Sequence, residues 1–446
     1  MQPNILFLLL DSLRGDKCYG ERKSAITPNI DKLISNGVYF SQTIGSSDYT
    51  GPAIQSIFTG RFPFGCGKSK ESYYKIYSKS TSYLTLLKDN GYRAYAIMHS
   101  SLGDQGLYEP FENTDLSHKE SENIHNGLGE RILSKLKDNS MIGPWFYYVH
   151  FMDLHKPCIV PEKFQHLSEN ERYDHNLEII DKWIGKIMDT IDFKKTLVIL
   201  TADHGDYISM FDVRETEKNP LIKNAKSIAK SLIPKKLLPT IHEKKKEITN
   251  KIHQRKLQTP HEKRMFTTRP MGKRFFFDDV VNVPLIFSGH TLKHTKPIDQ
   301  QIGSIDIFPT VLDLLAIPEN KSKVNGRSVL PLIKNEKFDS IPIYMESSIT
   351  KTQTINPQPA VGIRTPEYKY FRQLDNVNEN VHVYDLQKDP FEDFNLASER
   401  PDLVKKFENI LQDVRKDMDS FGEETETLSK KEEEELEAEL KKLGYI

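Results

Sequence analysis

Short runs of apolar residues recur along the chain, and each run is apolar on both of its faces. They cover residues 4–10, 93–98, 145–150, 196–201 and 283–288. Runs of this length, without an apolar–polar alternation, are typical of strands in the middle of a parallel sheet. Amphipathic stretches lie between them, at residues 27–37, 82–90, 124–136 and 175–191. Strands that alternate with helices predict an α/β fold with helices on both faces of the sheet.

A change of composition near Asn335 predicts a body of residues 1–334 and a smaller C-terminal subdomain of residues 335–446. Short strand-like segments follow, at residues 341–345, 361–364, 369–374 and 381–386, and polar turns separate them. We therefore expect a small antiparallel sheet. Leu436, Leu440 and Leu443 recur on one face of a final Glu- and Lys-rich segment, which predicts a docked amphipathic helix or a solvated one.

Polar residues stand at the ends of four of the predicted strands: Asp11, His99, His150 and the pair Asp203-His204. Sheets of this kind place their functional sites at the carboxyl ends of the strands, so we expect these side chains to meet in one site. The alternative is that they are ordinary loop residues that cap helices.

Composition is that of a soluble globular protein, with 37% hydrophobic and 28% charged residues. The three cysteines, Cys18, Cys66 and Cys158, show no metal-ligand spacing and no disulfide framework. No signal peptide and no apolar stretch of transmembrane length is visible. We therefore expect a cytoplasmic protein.

The segment that begins at Thr50-Gly51-Pro52 and continues to Thr59-Gly60-Arg61 resembles the signature of the sulfatase family, within the alkaline phosphatase superfamily. Further motifs resemble that family in the same order along the chain, at residues 4–16, 27–33, 91–93, 150–155, 201–206, 272–286 and 384–397. The resemblance spans nearly the whole chain. It implies an alkaline-phosphatase-like fold, with a central, mostly parallel sheet flanked by helices and a small C-terminal α+β subdomain.

The resemblance implies one divalent metal ion, bound by Asp11, Asp203 and His204, with the Thr50 hydroxyl completing the set. Two carboxylates and an imidazole suit Mn²⁺, Mg²⁺ or Ca²⁺, and the histidine also suits Zn²⁺. Ser12 stands where many sulfatases have a second aspartate, which argues against a cage tuned for Ca²⁺.

Thr50 occupies the place where sulfatases carry a Cys or Ser that is oxidised to formylglycine. Oxidation of threonine would give a ketone instead of an aldehyde, so we expect no formylglycine here. A secondary alcohol beside a metal is a plausible nucleophile for phosphorus. The alternative is that Thr50 simply caps the helix that follows.

Other candidate residues follow from the resemblance. Lys273 matches a lysine that contacts the transferred group, His155 matches a histidine that acts on the leaving group, and His99 stands where sulfatases usually have lysine. Arg61, Arg274 and His150 are candidates for substrate binding, although His150 also fits a buried core histidine. Two departures from the family are Ile54, in place of an arginine, and Ser101, in place of a histidine.

Residues 207–272 form a basic insertion where sulfatases have a short loop, and an apolar helical stripe runs along it. Residues 214–274 carry 18 Lys and Arg against 5 Glu, a net charge of +13, within a chain of net charge −1. We expect a lid that attracts an anionic glycan or lipid substrate or an anionic membrane surface, or else a solvated helical hairpin. The insertion lacks interleaved aromatic residues, so nucleic acid is an unfavoured partner.

Three functional hypotheses remain open. The first is a metal-dependent hydrolase or transferase that acts on a phosphate ester, of phosphodiester or phosphonate type, in an anionic small molecule, glycan or lipid, through Thr50. The second is a sulfuric ester hydrolase that works without formylglycine. The third is a non-catalytic protein of the same fold that binds anions or glycans.

Overall fold

The computed structural model describes residues 2–63, 75–76, 82–119, 122–138, 141–156, 158–208, 257, 259–267, 275–290, 292, 296–318, 324–347, 359–419 and 428–442. Lys273, Arg274 and Cys66 lie outside these residues, as does most of the predicted insertion.

An eight-stranded sheet forms the centre of the molecule. Its strands are β1 Asn4–Leu10, β2 Gly37–Ile44, β3 Arg93–His99, β4 Ser117–His118, β5 Trp145–Phe151, β6 Thr196–Thr201, β7 Asn282–Gly289 and β8 Ile302–Gly303. Their spatial order is β4-β3-β5-β1-β6-β7-β2-β8. Neighbouring strands pair in parallel except at β7, which runs antiparallel to both β6 and β2. The predicted fold class, a mostly parallel sheet flanked by helices, is confirmed.

Two of the longer strands, β7 and β2, differ from the strand prediction. Residues 283–288 do form a central strand, β7, but this strand is antiparallel. An apolar run shows that both faces are buried, and it carries no information about strand direction. Strand β2 was not predicted, because it starts at Gly37, directly after a helix, and half-buried Ser41 and Gln42 interrupt its apolar run.

The described helices of the body are α1 Gly15–Cys18, α2 Pro28–Ser35, α3 Thr50–Thr59, α4 Tyr83–Asp89, α5 Ser100–Leu102, α6 Gly129–Lys137, α7 Glu169–Met188, α8 Pro260–Thr267, α9 Asp278–Val281, α10 Ile307–Leu314 and α11 Leu330–Ile333. Residues of α3, α4 and α10 are buried with Phe7 and Leu9 on one face of the sheet. Residues of α2, α6 and α7 are buried with Leu6 and Leu8 on the other face. The sheet is therefore covered on both sides, which explains why its strands are apolar throughout.

A second sheet, of four antiparallel strands, lies in the C-terminal part of the chain. Its strands are β9 Ile343–Glu346, β10 Ala360–Arg364, β11 Tyr368–Gln373 and β12 His382–Asp385, and the helix α12 Pro401–Asp419 packs against it. The last described helix, α13 Lys430–Lys442, contacts α5 and buries Leu436 completely. Leu443 lies outside the described residues, as does the side chain of Leu440.

No helix among the described residues is long and apolar enough to span a membrane.

Candidate active site

The candidate site lies at the carboxyl ends of three adjacent parallel strands. Leu9 of β1 is level with His150 on β5 and with Thr201 on β6. The backbone N–H of Asp11 donates to the carbonyl of Phe151 at 2.9 Å, which continues this alignment just past the end of β1. Because the strands end together, the residues that follow them emerge at one edge of the sheet, as predicted for Asp11 and Asp203.

Asp11, Asp203 and His204 form a cluster in which one ligand atom from each residue lies within 4.8 Å of the others. Each of the three side chains is buried. Asp203 Oδ1 accepts a hydrogen bond from the Ser12 N–H at 3.2 Å. Asp203 Oδ2 has no hydrogen-bond partner among the described residues, although His204 Nε2 lies 3.4 Å away. A buried carboxylate oxygen without a donor is costly unless a cation satisfies it.

The two carboxylates have opposite pKa shifts. Burial by itself would raise the pKa of Asp11, but the neighbouring imidazoles of His150, His155 and His204 hold that pKa well below its usual range. Burial and the negative charge of Asp11 raise the pKa of Asp203. Two carboxylates this close cannot both ionise comfortably without positive charge between them.

His204 is oriented with one ring nitrogen directed into the cluster. Its Nδ1 lies 2.8 Å from the carbonyl of Gly205, so Nδ1 carries the proton and donates. In the neutral ring Nε2 then has the lone pair, which is the state in which histidine binds a metal. Burial lowers the pKa of His204, but the charges of Asp203 and Asp11 outweigh burial and raise it.

These residues fit a single divalent cation. The set offers two carboxylates, one of them with an unsatisfied buried oxygen, and an imidazole nitrogen directed at them. Oxygen and nitrogen donors of this kind suit Mn²⁺, Mg²⁺, Ca²⁺ or Zn²⁺.

Thr50 is the first residue of α3, and its hydroxyl reaches the same cluster. Its Oγ1 lies 3.2 Å from Asp11 Oδ2 and 3.2 Å from His204 Nε2. The alternative interpretation of Thr50 as a helix cap was wrong, since Tyr49 is the N-cap residue of α3 and Thr50 is the first residue of the helix. The hydroxyl is instead directed at the candidate ligands, beside a helix N-terminus that favours an anion.

Ser12 and Tyr173 support the loop that carries Asp11, and sequence reasoning missed both contributions. Ser12 has a φ of 64° and donates from Oγ to Asp11 Oδ1 at 2.7 Å, so it orients the carboxylate instead of adding a second one. The Tyr173 hydroxyl donates to the Ser12 carbonyl at 2.9 Å. Tyr173 lies 161 residues further along the chain, on the buried stripe of α7, where its pattern resembles any core aromatic residue.

Ile54 is fully buried among apolar side chains, so the place of the family arginine belongs to the core of this protein. His99 ends β3 and is also fully buried, with its Nδ1 2.9 Å from the hydroxyl of Ser101. The departures at Ile54 and Ser101 thus place an apolar and a neutral polar side chain where the family has basic ones.

The remaining candidates lie at different distances from the cluster. His150 is fully buried, and its Nε2 is 3.6 Å from Asp11 Oδ2. His155 is 7% exposed and lies close enough for its charge to act on Asp11. Arg61 follows the far end of α3, which is roughly 15 Å long, so the structure does not bring it to Thr50. Lys273 and Arg274 lie outside the described residues, and their roles stay predictions.

The fold and the ligand set define an α/β protein of the alkaline-phosphatase-like class with a candidate metal centre at the strand ends. The sulfatase family profile matches residues 3–317, and the profile of the N-sulphoglucosamine sulphohydrolase C-terminal region matches residues 268–420. The chain belongs to the sulfatase family.

Among curated relatives, a Δ4,5-hexuronate-2-O-sulfatase of Bacteroides thetaiotaomicron is 32% identical over 151 residues, which is 33% of this chain and 29% of that protein. An ulvan-active sulfatase of Formosa agariphila is 23% identical over 477 positions, covering 95% of this chain and 81% of that protein. The match to the Bacteroides thetaiotaomicron sulfatase and the matches to the arylsulfatase K proteins of Danio rerio and Gallus gallus each span less than a third of the relative's length.

Solved structures share the fold at low identity. A 2-O glycosaminoglycan sulfatase superposes with a TM-score of 0.63 at 19% identity, covering 93% of this chain and 92% of that one. A phosphonate monoester hydrolase of Agrobacterium radiobacter gives a TM-score of 0.63 at 16% identity, covering 93% and 96%.

Proposed function

We propose that the protein is a metal-dependent hydrolase or transferase that acts on a phosphate ester, of phosphodiester or phosphonate type, through Thr50. The observation that carries the proposal is the position of Thr50 Oγ1, 3.2 Å from both Asp11 Oδ2 and His204 Nε2, beside a set of buried candidate metal ligands. An alcohol in that position is a candidate nucleophile whose proton has a hydrogen-bonded path away, toward Asp11.

In this reaction the Thr50 oxygen forms a bond to phosphorus and the bond from phosphorus to the leaving oxygen breaks. Asp11, Asp203 and His204 would hold the metal ion, which, when bound, lowers the pKa of an alcohol and polarises the ester. His155, 7% exposed and close to Asp11, is the candidate that gives a proton to the leaving oxygen. Water or an acceptor hydroxyl then takes the phosphoryl group from Thr50, and the threonine hydroxyl is restored.

Sulfate-ester hydrolysis is the second candidate function, because the family profile and the relatives described above are sulfatases. Without formylglycine this reaction would need water to attack a sulfated threonine, since Thr50 has no geminal hydroxyl that could expel the sulfate. A related fold is known with D-glucosamine-2-N,6-O-disulfate as its substrate, at 16% identity and a TM-score of 0.61. The substrate we propose is an anionic glycan, lipid or small molecule in either case.

A substrate panel separates the two functions. Aryl phosphate mono- and diesters, an aryl phosphonate and an aryl sulfate are offered with Mn²⁺, Mg²⁺, Ca²⁺ or Zn²⁺ to wild type, Thr50→Ala and Thr59→Ala. Thr59 is a matched control because it lies on the same helix, and its hydroxyl bonds to the Gln55 carbonyl. We expect metal-dependent phosphoester or phosphonate turnover that falls by at least about 10³-fold in Thr50→Ala and persists in Thr59→Ala. Sulfate turnover that survives in Thr50→Ala would contradict both the nucleophile and the substrate class.

A further inference from the structure

Asp279 is a buried carboxylate on which three basic side chains converge. Arg14 Nη2 lies 2.6 Å from Asp279 Oδ1, and Arg264 Nη2 lies 3.0 Å from Oδ2. His261 Nε2 lies 3.1 Å from Oδ1. The Asp279 side chain is 3% exposed, so these contacts replace its water. Burial would raise the pKa of Asp279, but Arg14, His261 and Arg264 hold it well below its usual range, so the carboxylate stays ionised.

One side of this ion-pair cluster belongs to the loops that carry the candidate metal ligands. Arg14 comes three residues after Asp11, and its Nη1 donates to the Asp206 carbonyl at 3.3 Å. The Gly205 N–H donates to the Val280 carbonyl at 2.6 Å. A Cβ on Gly205 would meet the Asp279 carbonyl at 2.2 Å and Arg14 Cγ at 3.1 Å. Asp279 and Arg14 therefore pack directly against Gly205, whose carbonyl orients His204.

The other side of the cluster is α8, at the C-terminal end of the basic insertion. Arg264 and His261 both belong to this helix. Arg264 also donates to the carbonyls of Glu392 and Phe391, at 2.9 Å each, and its guanidinium lies 3.9 Å from the centroid of the Phe277 ring. His261 and Arg264 thus tie α8 to Asp279, and Arg264 also ties it to the loop that contains Phe391 and Glu392.

We propose that Asp279 is a positioning residue that couples the docking of α8 to the geometry of the metal centre. When α8 is docked, Asp279 and Arg14 hold Gly205 and the Asp11 loop in the arrangement that the metal needs. Loss of the α8 contact weakens metal binding, and metal binding in turn stabilises docked α8, because such coupling is reciprocal. The inference rests on the metal centre of the proposed function, but not on the identity of the ester.

Metal affinity of variants tests this coupling. Mn²⁺ binding is measured by calorimetry on wild type, Arg264→Gln, Asp279→Asn and the control Arg372→Gln. Arg372 is the control because it is also a buried arginine paired with a carboxylate, Glu408 at 2.9 Å, on the C-terminal sheet. We expect Arg264→Gln and Asp279→Asn to raise the Kd for Mn²⁺ by about 10-fold, and Arg372→Gln to leave it unchanged.

Hydrogen exchange of wild-type α8 is the second, independent measurement. We expect Mn²⁺ to slow exchange of the α8 amides in wild type and to leave them unchanged in Asp279→Asn. Exchange at α8 that ignores Mn²⁺ in the wild type would overturn the coupling even if a variant failed to fold. If Arg264 has a purely structural role, Arg264→Gln should lower the Tm equally with and without metal and leave the Kd for Mn²⁺ unchanged. That result would also overturn the coupling. If wild type binds no Mn²⁺, the metal centre itself is wrong and the coupling falls with it.

Discussion

Thr50 and Ile54, one turn apart on α3, are two residues at which the chain departs from the family pattern. The hydroxyl of Thr50 is directed at Asp11 and His204, while Ile54, one turn later, is fully buried in the core. An arginine at this position would therefore place its charge among apolar side chains. The sequence shows that Ile54 replaces the arginine, but only the folded structure shows that this position is buried among apolar side chains.

We predict that Ile54→Arg destabilises the protein by about 3–5 kcal/mol, because it buries an unpaired charge among apolar side chains. Gln55→Arg is the control, on the next, half-buried position of the same helix, and should cost less than about 1 kcal/mol. Urea unfolding measures both. Equal stability of the two variants would mean that the core has room for the arginine.

Asp306 gives a pH dependence that is independent of the candidate site. It is 2% exposed and accepts the N–H groups of Gly303 and Arg327, each at 2.8 Å. Burial outweighs these bonds and raises its pKa from 3.8 to about 6. Between these values the folded protein holds a proton that the unfolded chain has lost, so stability decreases as the pH rises through this window and levels off above it.

We predict that Asp306 lowers the free energy of unfolding by about 3 kcal/mol as the pH rises across this window. In Asp306→Asn this contribution should be absent. Urea unfolding of the two proteins at a series of pH values measures the difference between them. A difference that stays constant from below the lower pKa to above the upper one would contradict the prediction.

At the scale of elements, α7 shows how one helix stabilises another. Asp181 of α7 accepts the N–H groups of Ile30 at 2.8 Å and of Asn29 at 3.0 Å, at the start of α2. Thr27, the N-cap of α2, makes no side-chain cap bond. The cap of α2 is thus supplied from a residue 151 positions away. The apolar spacing of α7 predicted the helix, but nothing in that spacing could indicate this partner.

We predict that Asp181→Ala destabilises the protein by about 2–3 kcal/mol, since it leaves the buried N–H of Ile30 and the half-buried N–H of Asn29 without their acceptor. Asp181→Asn should cost less, because its amide oxygen still accepts. Asp189→Ala, at the exposed C-cap of the same helix, is the control and should be close to neutral. Thermal unfolding compares the three, and a neutral Asp181→Ala would show that water replaces the cap.

The molecule as a whole brings together groups that are far apart in sequence. The ends of β1 and β6 were predictable, because polar residues after apolar runs mark the site edge of such a sheet. The ion-pair cluster around Asp279 could not be predicted from the sequence, because charged residues without a periodic spacing do not indicate which partners they will meet. The same holds for the direction of β7, which depends on the connections between strands and not on its own residues.

We predict that metal binding stabilises the whole fold, because it neutralises the buried pair Asp11 and Asp203. Mn²⁺ at about 100 times its Kd should raise the free energy of unfolding by about 2.7 kcal/mol, and a chelator should remove this gain. Asp203→Asn should lose the response, while Asp306→Asn, a buried aspartate elsewhere, should keep it. Equal Tm values for wild type with and without metal would argue against the centre.

If Thr50 carries the transferred group, a phosphothreonine intermediate can be trapped during turnover. Wild type, Thr50→Ala and Thr59→Ala are mixed with Mn²⁺ and a phosphodiester that carries radioactive phosphorus. The reactions are quenched in acid, the proteins are digested, and the peptides are examined for the label. We expect a label on Thr50 in wild type and in Thr59→Ala, with none in Thr50→Ala or after chelation of the metal. Turnover of the diester by Thr50→Ala at the wild-type rate, with no label on Thr50 in any sample, would contradict it.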